Sequence, residues 1–222
     1  MGMLKAVILD VDGTLVDSNG AHAESWADVF RAYGYAVTAD QIRPLIGMGG
    51  DQLIPKAIGV EKESPLGKAI NARRKQIFLE QYLPNLKPLP GARQLLERMR
   101  ERGLRLVVAT SAEAEELDRL LRVAGLEDLV EARTDAKGVP HSKPAPDVVE
   151  AALDRVGVKP DEAVMLGDTP YDLASATRAG VPMIGVKTGG YDEAGLPGAI
   201  AVYATPLDLW EHYDASPLAS ST

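Results

Sequence analysis

Short apolar runs alternate with amphipathic stretches along most of this chain. Leu4 to Leu9 is the first run, followed by "LRLVVAT" at 104–110, "AVMLGD" at 163–168, "VPMIGV" at 181–186 and "AIAVY" at 199–203. Continuous apolar runs of this length predict buried parallel strands. Between them lie helical patterns: "GARQLLERMRERG" from Gly91, "EAEELDRLLRVAG" from Glu113, "APDVVEAALDRVG" from Ala145 and "YDLASATRAG" from Tyr171. Each ends at a glycine placed to close a helix: Gly103, Gly125, Gly157 and Gly180. The alternation predicts an α/β fold, a doubly wound, mainly parallel, Rossmann-like sheet.

One stretch breaks the alternation. Ser18 to Leu83 shows no strand pattern and reads as helices, with Thr38 as an N-cap candidate. This predicts a small helical cap inserted after the first strand. The "VDSN" turn leads out, and the Pro-rich "LPNLKPLPG" at 83–91 leads back. The expected division is an α/β core of residues 1–16 and 87–222 and a cap of residues 17–86, able to move as a lid. The polar tail "DASPLASST" reads as frayed.

Charge and composition narrow the function. With Lys plus Arg at 24 against Asp plus Glu at 32, the net charge is -8. Such a chain lacks the overall cationic field that draws nucleic acid. An anionic substrate needs a local cation instead. No cysteine is present, which excludes disulfides, thiolate zinc sites and Cys nucleophiles. No apolar run of about 18 residues exists to cross a bilayer. The start lacks a signal-peptide layout, since its apolar run ends in acids. The expectation is a soluble, cytoplasmic protein, a monomer or homodimer, with no nucleic-acid or membrane partner.

Ligands in open α/β sheets bind at the carboxyl ends of the strands. Asp10 and Asp12 follow the first run, Thr110 and Ser111 the second, and Asp168 and Asp172 the third; Lys143 sits in a loop before a helix. Asp10, Asp168 and Asp172 form an all-oxygen set suited to a hard divalent cation such as Mg2+. Lys143 is placed to neutralise a phosphoryl group, and Thr110 and Ser111 to donate hydrogen bonds to it. Gly13 lets backbone N–H groups cradle an anion. With its charge neutralised, Asp10 becomes a nucleophile towards phosphorus. Asp12 is placed to protonate the leaving oxygen and then deprotonate the attacking water.

Four motifs in order carry a family resemblance: "DVDGTLVDS", Thr110 in "VVATSA", Lys143 in "HSKPAPD", and "GDTPYD" at 167–172. Together they resemble the haloacid dehalogenase-like superfamily of phosphohydrolases over essentially the whole chain. The resemblance implies Asp10 as nucleophile, Asp12 as acid/base with its carbonyl on the metal, and Asp168 as a direct magnesium ligand. Asp172 would bind the metal through water or hold Lys143. The helical insert is similar to the family's small cap, and the subgroup resembles phosphoglycolate phosphatases and β-phosphoglucomutases. A small phosphate ester is the implied substrate.

Departures sort the subgroups. The dehalogenases lack an acid at the position of Asp12, so Asp12 favours phosphoryl chemistry. Sugar-phosphate mutases usually carry a phosphate-binding Arg in the cap loop, where this chain has Gly50 in "IGMGGDQL". Gly49 and Gly50 are therefore expected against substrate, as in a phosphatase cap loop. The resemblance also includes a His and an aromatic at His22 and Trp26, which places His22 near the mouth. Phosphonatases use a cap Lys, but the context of Lys56 does not match.

Other readings of these residues remain in view. A calcium loop needs Gly at its sixth position, whereas Gly13 is fourth from Asp10 and a strand precedes it. Asp17 reads as a turn residue. Arg73, Arg74 and Lys75 form either a solvated face or a lid surface that reaches a substrate anion. His141 and His212 have no evident partners, which argues against zinc. A phosphosugar mutase and a non-enzymatic phospho-Asp switch stay as alternatives to a phosphatase.

Overall fold

Alternate residues of the first strand, β1 (Ala6–Leu9), face opposite cores. Ala6 and Ile8 join one apolar cluster, and Val7 and Leu9 join another. A strand buried on both faces must be apolar at every position, which is why the run reads as continuous. The computed structural model describes residues 3–134 and 139–221. Beyond β1 come helices α1 (Asn19–Ala32), α2 (Ala39–Ile42), α3 (Gly50–Ile58), α4 (Pro65–Ile77) and α5 (Ala92–Glu101). Then follow β2 (Arg105–Ala109), α6 (Ala114–Ala124), β3 (Ala132–Thr134), α7 (Asp147–Val156) and β4 (Ala163–Gly167). The chain continues with α8 (Pro170–Arg178), β5 (Met183–Val186), β6 (Ala201–Tyr203) and α9 (Pro206–Glu211).

The six strands lie in the order β3-β2-β1-β4-β5-β6, and every pairing is parallel. The chain fills one side of β1, then crosses to the other with β4. The switch point of this doubly wound sheet therefore lies between β1 and β4, where their carboxyl ends open a crevice. Helices α5, α6 and α9 cover the face of Val7 and Leu9, and α7 and α8 the face of Ala6 and Ile8. Among the described residues, no helix is long and apolar enough to cross a membrane.

Helices α1 to α4 share a third cluster that includes Trp26, Phe30, Ile42, Leu53, Ile54 and Ile70. Thr38 caps α2 in a reciprocal box with Gln41. The helix α4 runs on into a π-helical turn at Phe78–Tyr82. The outgoing and returning chains pair: Asp17 N donates to Lys87 O at 3.0 Å, and Leu89 N to Leu15 O at 2.9 Å. Val16 and Pro88 form an antiparallel bridge between them. Asp17 itself is exposed, a turn residue.

Two expectations are corrected. Strand β3 was not expected. Its Ala-Arg-Thr sequence sits at the sheet edge, half-exposed, and offers no apolar run. The tail is packed where fraying was expected: Ser216 and Leu218 are buried, with Leu218 in the core that includes α5 and α9.

Candidate active site

Asp10 is the first residue beyond β1, and its N–H donates to Leu166 O of β4 at 3.0 Å. The chain then turns tightly: Thr14, Leu15 and Val16 all return their N–H groups to Val11 O. Gly13 makes this possible with φ of 75°. A Cβ there would lie 2.1 Å from both Asn19 Nδ2 and Asp168 Oδ2, so only glycine lets the loop close on these groups.

Lys143 is the buried cation at the centre. Its Nζ lies 2.5 Å from Asp10 Oδ1 and 2.8 Å from Asp172 Oδ1, and it is 1% exposed. Thr169, the N-cap of α8, donates through its hydroxyl to Asp172 Oδ2 at 2.6 Å. Asp168 receives Thr14 Oγ1 at 3.0 Å and Asn19 Nδ2 at 2.8 Å. Asp12 Oδ1 is held by Ser18 Oγ at 2.5 Å and His22 Nε2 at 2.7 Å. His22 stacks on Phe78 and meets Arg74 Nη2 through Nδ1. Arg74 only donates, so Nδ1 accepts and Nε2–H points at Asp12.

Burial and neighbours set the charges. Burial pushes the Asp10 carboxyl up to about 7; Lys143 opposes the rise, and Asp172 and Asp12 add to it. Burial, reinforced by Asp10 and Asp172, drives Asp168 well above the usual carboxylate range. Burial also pushes Asp12 up, but His22, Ser18 and Arg74 outweigh it and leave Asp12 below its ordinary value. Burial lowers Lys143, yet Asp10 and Asp172 outweigh that and raise it. The two neighbouring acids are thus driven in opposite directions, Asp10 towards its protonated form by burial and Asp12 towards its carboxylate by the donors around it.

Asp10, Asp168 and Asp172 each offer an oxygen, and these lie within 4.8 Å of one another. Asn19 Oδ1, on the amide that donates to Asp168, is buried with no hydrogen-bond partner. Three carboxylates this close form an all-oxygen donor set that fits a hard divalent cation.

A cleft of about 270 Å³ between the helical segment and the sheet opens onto these groups. Asp10, Asp12, His22, Gly49, Gly50, Thr110 and Ser111 line it, whereas Lys143, Asp168, Asp172 and Gly13 are buried behind that lining. Thr110, at the end of β2, accepts from Ala112 N at 3.1 Å. The helical loop touches the sheet side directly. Gly49 N donates to Ser142 Oγ at 3.1 Å, Ser111 Oγ to Gly47 O at 3.4 Å, and Tyr171 OH to Pro44 O at 2.6 Å.

The basic run divides by helix phase. Arg73 is exposed, Arg74 is buried against Glu116, and Lys75 pairs with Glu113 and Glu115. Lys56 leaves the cleft for the sulfur of Met48 and the ring of Tyr171. His141 and His212 do have partners, Asp147 and Asp208. Sequence reasoning missed Ser18, Asn19 and Glu116 as site residues and left Arg74 between a solvated face and a lid surface. Ser18 and Asn19 stand beside the first motif, a usable signal. Nothing local marks Glu116, whose partner Arg74 lies 42 positions away.

The family model for haloacid dehalogenase-like hydrolases matches residues 7–186. The phosphoglycolate phosphatase of Rhodospirillum rubrum is 33% identical over 220 residues, spanning 90% of this chain and 87% of its own. A hydrolase from Pseudomonas syringae has a similar solved structure, with TM-score 0.87, 29% identity and 95% and 98% of the two chains covered. CbbY from Rhodobacter sphaeroides, solved in complex with phosphate, aligns with TM-score 0.80 at 25% identity over 93% of this chain and 96% of its own. The matched span runs from β1 to β5 and takes in all four motifs, so the chain belongs to the haloacid dehalogenase-like hydrolases and is a phosphatase of that family.

Proposed function

We propose that this chain is a magnesium-dependent phosphatase acting on a small phosphorylated metabolite of the phosphoglycolate or sugar-phosphate kind, through an aspartyl phosphate on Asp10. One observation carries the reading: Asp10 and Asp12 share one cleft, Asp10 against the Lys143 ammonium and Asp12 against His22. A nucleophile needs its charge compensated without losing its lone pair, and an acid/base needs a fixed proton path.

Asp10 attacks phosphorus and the bond to the leaving oxygen breaks; Asp12 supplies the proton to that oxygen. Water then attacks the aspartyl phosphate, and Asp12 takes a proton from it as phosphate leaves Asp10. Lys143 balances charge on Asp10 and the phosphoryl oxygens, with Thr110, Ser111 and the Gly13 turn as hydrogen-bonding partners for the latter. Bound at Asp10, Asp168 and Asp172, with the Asp12 carbonyl, Mg2+ would neutralise the carboxylates and the developing phosphoryl charge. Residues 17–86 act as the lid over a core of 1–16 and 87–222, with the paired strands at Val16 and Pro88 as the hinge. His22, Gly49 and Gly50 form the lid's side of the substrate cleft.

The test is phosphate release by the Asp10→Asn protein in Mg2+. Loss of turnover with an unchanged circular dichroism spectrum is expected. Normal turnover, after mass spectrometry excludes deamidation back to Asp, would overturn the mechanism.

A further inference from the structure

Arg74 and Lys75, two of the three cations that line the cleft among the described residues, are already engaged by carboxylates. Arg74 Nη1 donates to both carboxylate oxygens of Glu116, at 2.9 and 3.3 Å. Its Nε donates to Ser25 Oγ at 3.3 Å, and its Nη2 faces His22. The guanidinium also packs on Trp26 and Phe78, with Cζ 5.1 and 4.6 Å from the ring centres. Arg74 and Glu116 are both buried. Lys75 repeats the pattern, 3.2 Å from Glu113 and 2.9 Å from Glu115. Lys143 is held by Asp10 and Asp172, and Gly50 offers no side chain. Lys62, flanked in sequence by Glu61 and Glu63, is the remaining cation of the lining among the described residues.

We propose that the site takes phosphate esters whose leaving group is a small, uncharged, hydroxylated molecule. In this proposal Glu116 is the residue that rejects leaving groups bearing a carboxylate or a second phosphate. The inference rests on the phosphatase reading and narrows its substrate class. An anionic leaving group beside Glu116 must either displace it from Arg74, stranding a buried carboxylate, or rely on Lys62 alone, which Glu61 and Glu63 flank in sequence. Neutral hydroxyls meet no such barrier, and Asn71 and Ser142 line the cleft as uncharged polar partners for them. The selectivity thus differs from that implied by the name of the R. rubrum relative, since phosphoglycolate carries a carboxylate.

The experiment compares kcat/KM for phosphate release by the full chain in Mg2+. Glycerol phosphate and glucose phosphate form one pair of substrates, and phosphoglycolate and fructose bisphosphate the other. The wild type is expected to favour the first pair by at least about tenfold, and Glu116→Gln to move the ratio towards phosphoglycolate by about tenfold, mainly through KM. A wild-type preference that is absent or reversed overturns the proposal, whether or not the Glu116→Gln protein folds. So does a folded Glu116→Gln protein with an unchanged ratio. If no ester is hydrolysed, including p-nitrophenyl phosphate, the phosphatase reading itself fails and the inference falls with it.

Discussion

His22 of the helical segment holds Asp12 of the sheet side at 2.7 Å, and Ser18 donates to the same carboxylate oxygen at 2.5 Å. Expected near the mouth as a substrate residue, His22 lines the cleft yet directs Nε2 at the carboxylate proposed as proton donor and acceptor. Replacing it by Ala should lower kcat by about a hundredfold, the scale of misplaced acid–base catalysis, with little change in KM. His22→Gln, which keeps a donor, should recover part of the loss. A KM effect with unchanged kcat would show that His22 only binds substrate.

Lys143 is the sole counter-ion in direct contact with both Asp10 and Asp172 among the described residues. Lys143→Met removes a charge that the pocket cannot replace with water, since the position is 1% exposed. Without metal, stability should fall by about 3–5 kcal/mol, the usual cost of breaking a buried pair. Chemical denaturation in chelator measures this. Added Mg2+ should return part of the stability without restoring phosphate release.

Strands β1, β2 and β4 and the motif residues at their ends were readable because two signals coincide. Apolar runs buried on both faces announce β1, β2 and β4, and Asp10, Thr110 and Asp168 follow directly at their ends. What stayed hidden depends on contacts distant in sequence. Strand β3 gains its order from pairing with β2, not from its own Ala-Arg-Thr composition. Leu218 is a lone large apolar residue in a polar tail, and only packing into the cluster that holds α5 and α9 makes it core. Arg73, Arg74 and Lys75 look alike in sequence; helix phase turns Arg74 inward, where Glu116 receives it.

Asp10 links the site to pH. Its folded value of about 7 lies above the ordinary 3.8, so the folded state resists losing this proton more than the unfolded state does. The carboxyl therefore costs stability that grows as pH rises from 3.8 and levels off above about 7. In chelator, Asp10→Asn should melt above the wild type, by a wider margin near pH 8 than near pH 5. Mg2+ should narrow the margin at the higher pH by stabilising the wild type. A margin independent of pH would show that burial does not hold the Asp10 proton.

Gly13 tests the geometry of the loop itself. An Ala there must adopt a φ of 75° and place its methyl where Asn19 Nδ2 and Asp168 Oδ2 already sit. The left-handed backbone alone costs about 1 kcal/mol or more, and the clash adds to it. Because Asn19 and Asp168 must shift, the damage should fall on the proposed metal site before the fold. Gly13→Ala is therefore expected to weaken Mg2+ activation and lower kcat by at least about tenfold, with a Tm drop of only a few degrees. Titration of phosphate release against Mg2+ gives the first quantity and thermal melting the second. An Ala variant with wild-type metal dependence would mean that Asp168 is not held by this turn.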